Sequence, residues 1–202
     1  MTALKGMLGR LPGITASGRQ RPEQWDLEYK SGRWDYLRGI DELAHYSVIA
    51  GYCRHFIRGG SIWDVGCGEG LLCDLLDDSR YSFYLGTDFS EQAIRRATVR
   101  ALGQKRVFCV ADMHDFDPKR QFDMIVFNES LYYSRSPAKV LRHHAAFLAP
   151  GGLLVVSMYL PRRSPIWTEI GSVGRVLDEV QIRNRNGTCW TCRLLANDAT
   201  PL

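Results

Sequence analysis

The sequence predicts a three-layer α/β domain: a mostly parallel sheet between helices, closed by a C-terminal antiparallel hairpin. Three observations carry this. From residue 61 to about residue 158, apolar runs of strand length alternate with amphipathic runs of helix length, the order that builds a parallel sheet with helices on both faces. Three glycines, Gly66, Gly68 and Gly70, stand directly behind the first of these runs, in "SIWDVGCGEGLLCDLL", residues 61 to 76. The alternation then gives way to "LDEVQIRN", an Asn186-Gly187 turn and "TCWTCRLLA", which reads as two antiparallel strands.

A chain of 202 residues fits one domain with a full core. Residues 1–22 are expected to be a flexible basic N-terminal arm, because they are rich in glycine and broken by Pro12 and Pro22. From Glu23 to about Phe56 the pattern is helical, with Ile40, Leu43, Ala44, Ser47, Val48 and Cys53 recurring at spacings of three and four. Ser31-Gly32 inside "WDLEYKSGRWDYL" divides this segment into two short helices. Strands are expected at Ser61 to Val65, Ser82 to Thr87, Arg106 to Val110, Phe122 to Phe127 and Leu153 to Met158. Helices are expected at Glu69 to Leu76, Ser90 to Leu102 and Ser136 to Leu148, with Ser90 as an N-cap and Pro137 at a first helical position. "FDMIVF" is nearly continuous in apolar residues, as a strand covered on both faces should be.

Composition excludes some functions. No run approaches the ~18 apolar residues of a spanning helix, so no membrane partner is expected and a cytoplasmic location is the default. The net charge of +4 resides in residues 1–21, where Lys5, Arg10, Arg19 and Arg21 face no acid. The remainder balances, which disfavours a nucleic-acid partner that needs a basic face on the folded body. A tail with Arg, Ser and Thr and no acid is common to organelle transit peptides and to ordinary disordered tails. The six cysteines lie in apolar segments and read as small buried hydrophobes. Cys189 and Cys192 form a C-x-x-C pair inside a strand, where positions three apart face opposite ways, so no metal site is expected. His143 and His144 adjoin Arg142 on a helix and read as a solvated face.

The glycine turn is close to a dinucleotide fingerprint but departs from it. G-x-G-x-x-G would place its third glycine at position 71, which is Leu71; here the third glycine comes one residue early. The turn still permits close backbone approach to a ligand, without the rationale of a helix dipole aimed at a diphosphate.

"IWDVGCGEG" resembles the first motif of the class I S-adenosylmethionine-dependent methyltransferases. "YLGTDFS", "VADMHDF", "FDMIVFNESLYY" and "LAPGGLLVVS" follow in the family's order, so that the resemblance covers about residues 60 to 160. The segment around "WDLEYKSGRWDYL" resembles the N-terminal lid of small-molecule members, including the nodulation-factor N-methyltransferase group. The resemblance implies a Rossmann-like seven-stranded sheet, S-adenosylmethionine as cofactor and a partition into a helical lid at 23–58 and a cofactor-binding domain at 59–202.

It also implies roles for individual residues. Asp64 orients the methionine amino group, with turn capping as the competing role. Gly66, Cys67 and Gly68 form the turn, with Cys67 a small filler between glycines. Asp88, with Phe89 beside it, binds the ribose hydroxyls, since a carboxylate can accept two hydrogen bonds. Asp112 contacts the adenine amino group and Met113 packs on the ring, while Asn128 opens the fourth motif. Asn128-Glu129-Ser130-Leu131 lacks the prolines and aromatic of the N-P-P-Y or D-P-P-Y tetrads that mark enzymes acting on DNA bases or protein glutamine.

Glu129 is the candidate general base or ammonium-binding carboxylate; the competing role is to hold the methionine end of the cofactor. Tyr132 and Tyr133 are expected to line the acceptor pocket, Tyr133 at the catalytic end, unless one is core. Trp25, Tyr29, Trp34 and Tyr36 either cover the cationic sulfonium from the lid or pack on the sheet edge. The expected activity is metal-free, in-line methyl transfer to an amine or hydroxyl of a small-molecule or glycan-type acceptor. The alternatives are an RNA methyltransferase recruited through the basic arm and a non-catalytic cofactor-binding partner subunit.

Overall fold

The computed structural model describes residues 22–101 and 103–197. All but Pro22 of the expected basic arm therefore lies outside the described residues. Two helices, α1 (Pro22–Lys30) and α2 (Ile40–Phe56), flank a 3-10 turn at Asp35–Arg38. The sheet strands are β1 (Gly60–Val65), β2 (Tyr81–Asp88), β3 (Arg106–Val110), β4 (Phe122–Asn128), β5 (Leu148–Met158), β6 (Gly174–Arg183) and β7 (Cys189–Asn197). Between them lie α3 (Glu91–Arg100), α4 (Pro137–Ala145) and α5 (Pro165–Gly171).

The seven strands form one sheet in the order β3-β2-β1-β4-β5-β7-β6. β1 to β5 are parallel, and β7 runs antiparallel to both β5 and β6. The α/β, Rossmann-like fold with its terminal hairpin is thus the one expected. Successive residues of β1 serve opposite faces, as pleating requires. Ile62 joins Ile49, Tyr84, Met124 and Trp190 on the face covered by α2. Trp63 and Val65 join Phe127, Leu141, Leu154 and Trp167 on the face covered by α4 and α5. β4 is buried at six of its seven positions, as its unbroken apolar sequence implied.

Four local expectations are corrected. The helix expected at Glu69 to Leu76 is a run of turns ending in a 3-10 helix at Cys73–Leu75, because glycines at 66, 68 and 70 hold positive φ and Leu72, Cys73 and Leu76 are drawn into the core with Ile49, Cys53 and Tyr84. α2 buries only part of the expected stripe: Cys53 is buried and Ala44 and Val48 pack against the core, but Ile40 is 70% and Leu43 39% exposed, and Glu42, His45, Tyr46 and Ile49 are buried instead. This face packs on β7, where the His45 ring stacks on Trp190 at 4.8 Å and 2°. His144 is fully buried rather than solvated, set between Trp63 (4.5 Å) and Phe127 (4.9 Å). Its Nδ1 meets the Val140 carbonyl at 2.9 Å, and burial lowers its pKa to about 4, which keeps the ring neutral. Finally, β5 begins at Leu148 rather than Leu153, and α5 was not anticipated. Ser90 and Pro137 hold their expected places: the Ser90 hydroxyl accepts from the Ala93 amide at 3.1 Å and Pro137 opens α4.

Candidate active site

The chain runs outward from β1 through β2 to β3, then returns to place β4 on the other side of β1. Strand order reverses there, and the crevice beyond the carboxyl ends of such strands is where open α/β sheets bind ligands. Asp64 points into it from β1, buried on the face shared with Tyr84, whose hydroxyl donates to Asp64 Oδ2 at 2.7 Å. Asp64 Oδ1 has no hydrogen-bond partner among the described residues. Burial raises the Asp64 pKa to about 7 against the opposing Tyr84 hydrogen bond, with the nearby Asp88 charge adding to the rise.

The glycine turn follows. The amides of Gly66 and Cys67 both donate to the Thr87 carbonyl, at 2.7 and 2.9 Å, which folds the turn back over the end of β2. Gly68 sits at φ +55°, and a Cβ there would lie 2.8 Å from the Tyr29 hydroxyl, so lid and turn are in direct contact. The Gly68 amide donates to Asp88 Oδ2 at 2.8 Å, and the Ser90 amide to Asp88 Oδ1 at 2.9 Å. Each Asp88 oxygen so engaged keeps further acceptor capacity. Asp88 is raised above the ordinary carboxylate range by burial, opposed by these amides. Beyond β3, Asp112 Oδ1 accepts from the His114 amide (3.0 Å) and meets its ring Nδ1 (2.6 Å).

β4 ends at Asn128, whose side-chain oxygen is also buried without a partner. Glu129 then adopts φ +54°, a left-handed conformation that costs a non-glycine residue ~1–2 kcal/mol. Two contacts hold it there: the Glu129 amide donates to Ser157 (2.9 Å), and the Ser130 hydroxyl to the Val65 carbonyl (2.6 Å). The turned carboxylate accepts from the Tyr132 hydroxyl at 3.0 Å, and its other oxygen is buried with no hydrogen-bond partner among the described residues. Burial raises the Glu129 pKa to about 8, opposed by Tyr132 and the Tyr159 backbone and assisted by the Glu42 charge.

The segment before the sheet closes over this crevice. Asp26 accepts from the Ser90 hydroxyl (2.5 Å) and the Gln92 amide (3.1 Å), docking α1 on the first turn of α3. Buried Glu69 of the glycine turn receives both Arg38 and Arg96, and Arg96 also donates to the Tyr29 carbonyl at 2.7 Å. Trp25 stacks on Trp34 at 5.4 Å and meets Tyr133 edge-on at 4.8 Å.

The result is one continuous cavity of about 300 Å³. All the residues expected at a site line it: Asp64, Gly66, Cys67, Gly68, Asp88, Phe89, Asp112, Met113, Asn128, Glu129, Tyr132, Tyr133, Trp25, Tyr29 and Trp34. Glu42, Tyr46, Tyr159, Thr188 and Trp190 line it too, and sequence reasoning missed them. Glu42 left one usable signal, a charged residue whose spacing to His45, Tyr46 and Ile49 puts it on a buried helix face.

The model of a family described as a methyltransferase domain matches residues 33–197. The chain belongs to this methyltransferase-domain family. Its fold and motif order are those of the class I S-adenosylmethionine-dependent methyltransferases, whose cofactor is S-adenosylmethionine. Among curated relatives, the chain is 29% identical over 150 residues to the ubiquinone biosynthesis O-methyltransferase of Neisseria meningitidis, covering 71% of this chain and 60% of that protein. It is 30% identical over 168 residues to the enzyme of the same name from Bradyrhizobium diazoefficiens, covering 77% and 64%. The chain thus spans about three fifths of the length of these relatives. Among solved structures it resembles the N-methyltransferase NodS of Bradyrhizobium japonicum in complex with S-adenosylhomocysteine, with a TM-score of 0.77, 19% identity, and 89% and 100% of the two chains covered. That likeness shows the fold. Among the described residues, no helix is long and apolar enough to cross a membrane.

Proposed function

We propose that the chain transfers a methyl group from S-adenosylmethionine to an amine or hydroxyl of a small-molecule or glycan-type acceptor. The observation that carries this is one cavity lined both by Asp64, Gly66, Gly68, Asp88 and Asp112 and by Glu129 with Tyr132, Tyr133 and Trp190. The cradle suits the donor. Asp64 Oδ1 and Asn128 Oδ1, two buried acceptors without partners among the described residues, call for a ligand that brings N–H donors, as an amino-acid ammonium does. A Cβ at Gly66 would overlap the Ser130 side chain, and one at Gly68 would meet Tyr29, so only glycine leaves the turn open beneath the lid.

In this reading Asp64 and Asn128 hold the amino group, Asp88 takes the ribose hydroxyls, and Asp112 accepts from the adenine amino group while Met113 packs on the ring. Gly66, Cys67 and Gly68 form the floor, and Phe89 lines the ribose end. When bound, the cofactor supplies a methyl group already activated by its sulfonium leaving group. The protein therefore has to position, desolvate and manage one proton. Trp25, Tyr29 and Trp34, held by Asp26 and Glu69, keep water from the cradle as a lid formed by residues 23–58. Glu129 faces the acceptor compartment as the proton acceptor, with Tyr132 fixing its carboxylate and Tyr133 bounding the position of attack.

Two measurements test this. Calorimetry with S-adenosylhomocysteine is expected to show one site on the native chain and strongly weakened binding in Asp88→Ala. A screen of amines, phenols and amino sugars for S-adenosylhomocysteine release is expected to find turnover. A native chain that binds neither S-adenosylmethionine nor S-adenosylhomocysteine removes the enzyme reading.

A further inference from the structure

We infer that His114 is a positioning residue for the adenine ring of the donor. Held between Asp112 and Ser134, it fixes the Asp112 carboxylate at the base end of the cavity and sets a preference for an amino-purine over an oxo-purine. This rests on the reading of Asp112 given above and deepens it. The observation is a chain of hydrogen bonds between two elements. His114 Nδ1 lies 2.6 Å from Asp112 Oδ1 in the loop after β3, and His114 Nε2 lies 3.2 Å from Ser134 Oγ, just beyond the turn Leu131–Tyr133. Asp112, His114 and Ser134 all line the cavity.

The place of this chain of bonds in the sheet says which part of a ligand it meets. Along the order β3-β2-β1-β4, the loop after β3 carries Asp112, β2 ends in Asp88, β1 carries Asp64 and β4 ends in Asn128. Neighbouring strands lie ~4.8 Å apart, which puts Asp112 two strand spacings, roughly 10 Å, from Asp64. Asp64 and Asn128 offer the buried acceptors without partners among the described residues. A long ligand whose ammonium sits on them reaches Asp112 with its opposite end. In S-adenosylmethionine that end is the adenine ring, whose exocyclic amino group brings N–H donors to a carboxylate.

The partners also fix the proton on the ring. A carboxylate only accepts, so Nδ1 carries the hydrogen that Asp112 receives, and in the neutral ring Nε2 then accepts from the Ser134 hydroxyl. Ser134 is an anchor with little freedom. It is 7% exposed, its Oγ accepts from the Ser136 amide at 3.0 Å, and its own amide donates to the Leu131 carbonyl at 3.1 Å. The ring thus ties the Asp112 loop to the start of α4. The loop alone does not: the His114 amide also donates to Asp112 Oδ1, at 3.0 Å, but that bond closes within the loop and moves with it. Both bonds engage Oδ1, and a carboxylate with about four acceptor sites keeps capacity for the amino group. The His114 and Asp112 side chains are 37% and 19% exposed, so the pair adds little to folding stability and its effect falls on the ligand.

The test is calorimetry of the full chain with S-adenosylhomocysteine and with S-inosylhomocysteine, which carries an oxo group where the adenine has its amino group. The native chain is expected to prefer S-adenosylhomocysteine by roughly 10–100-fold, the size of one hydrogen bond to a charged group. His114→Ala keeps the backbone amide bond to Asp112 and is expected to cut that ratio at least ~5-fold, with S-inosylhomocysteine affinity within about threefold of native. His114→Asn is expected to recover part of the ratio, because its side-chain amide can donate to Asp112 in place of Nδ1 but cannot reach Ser134. Both variants are expected to melt like the native chain. An unchanged ratio in His114→Ala overturns the inference, as does an equal loss of both ligands, which reports a merely structural role, or an asparagine variant no better than alanine. Asp112→Ala separates the two readings. If it abolishes the ratio while His114→Ala does not, the inference alone falls; if it leaves the ratio unchanged, the adenine reading of Asp112 falls with it. A native chain that binds neither ligand overturns the methyltransferase reading itself.

Discussion

Gly68→Ala probes the point at which lid and cofactor turn meet. The added Cβ would sit 2.8 Å from the Tyr29 hydroxyl, where ordinary contact begins at 3.4 Å, so something must yield by about 0.6 Å. Tyr29 is 5% exposed and its helix is tied down through Arg96 and Asp26, which limits its retreat. The overlap is expected to cost ~1–3 kcal/mol, as overpacking of a closed site does. The φ of +55° adds ~1–2 kcal/mol for a residue with a side chain. The sum, roughly 2–5 kcal/mol, corresponds to a fall in Tm of roughly 5–15 °C for a domain of this size. The two parts separate in a double variant. Without the hydroxyl, the nearest Tyr29 atom to the new Cβ is the ring carbon at 3.9 Å, an ordinary contact. Tyr29→Phe with Gly68→Ala is therefore expected to regain the overlap part and keep only the backbone part. Thermal melts give the stabilities, and S-adenosylhomocysteine calorimetry shows whether the turn has moved. A single variant within ~0.5 kcal/mol of the native chain, or a double variant no better than the single, refutes the argument.

Other outcomes follow from the same geometry. Asp64 binds a proton in the folded chain up to about pH 7, against ~4 when unfolded, so its contribution to stability falls as pH rises across that window and stays lost above it. Asp64→Asn is expected to melt higher than the native chain at pH 8 yet bind S-adenosylhomocysteine roughly 10–100-fold more weakly, since a hydrogen bond to a charged group contributes ~1.5–3 kcal/mol; unchanged affinity would remove Asp64 from the cofactor site. His144 has the opposite sign: lowered to about 4 from ~6.5, it makes stability fall as pH drops through that interval. His144→Phe, which keeps a ring against Trp63 and Phe127, is expected to flatten the acid side of a Tm–pH profile, and an unaltered profile would contradict the neutral buried assignment. Asp26→Ala removes two hydrogen bonds at the start of α3 and is expected to cost ~1–2 kcal/mol while raising KM for the donor. A stability loss with KM unchanged would separate the anchoring of α1 from donor binding.

Much of the fold was legible because strand and helix repeats are local. β1 to β4 announced themselves through apolar runs bounded by Gly66, Asp88, Val110 and Asn128, and Val65, Asp88 and Asn128 at the ends of β1, β2 and β4 line the cavity, as do Ala111 and Asp112 just beyond β3. Glycine at 66 and 68 was legible for a related reason, since positive φ is a backbone demand that only particular residues meet cheaply. The misreadings share a cause as well. Glu69 to Leu76 has helical composition, but contacts with the sheet and with Arg38 and Arg96 decide its path. Ile40 and Leu43 suggested one face of α2, and the stacking partner on β7 selected another. His144 appeared polar beside Arg142 and His143, yet its neighbours in space are Trp63 and Phe127.

By itself, the sequence determined the layered α/β class, the parallel order with its terminal hairpin, and the motif set around Asp64, Asp88 and Asp112 that places the chain in its family. These depend on the period of apolar residues and on the conformational needs of a few glycines, which are properties of neighbours along the chain. Only the tertiary structure decided that Glu42 from α2 and Glu129 from the end of β4 line one cavity, and that Tyr159 and Trp190 line it with them. Those residues lie far apart in sequence, so their meeting depends on how helix and sheet pack. Burial then sets the protonation of each acid, because the cost of desolvating a carboxylate exists only once the cavity has closed around it.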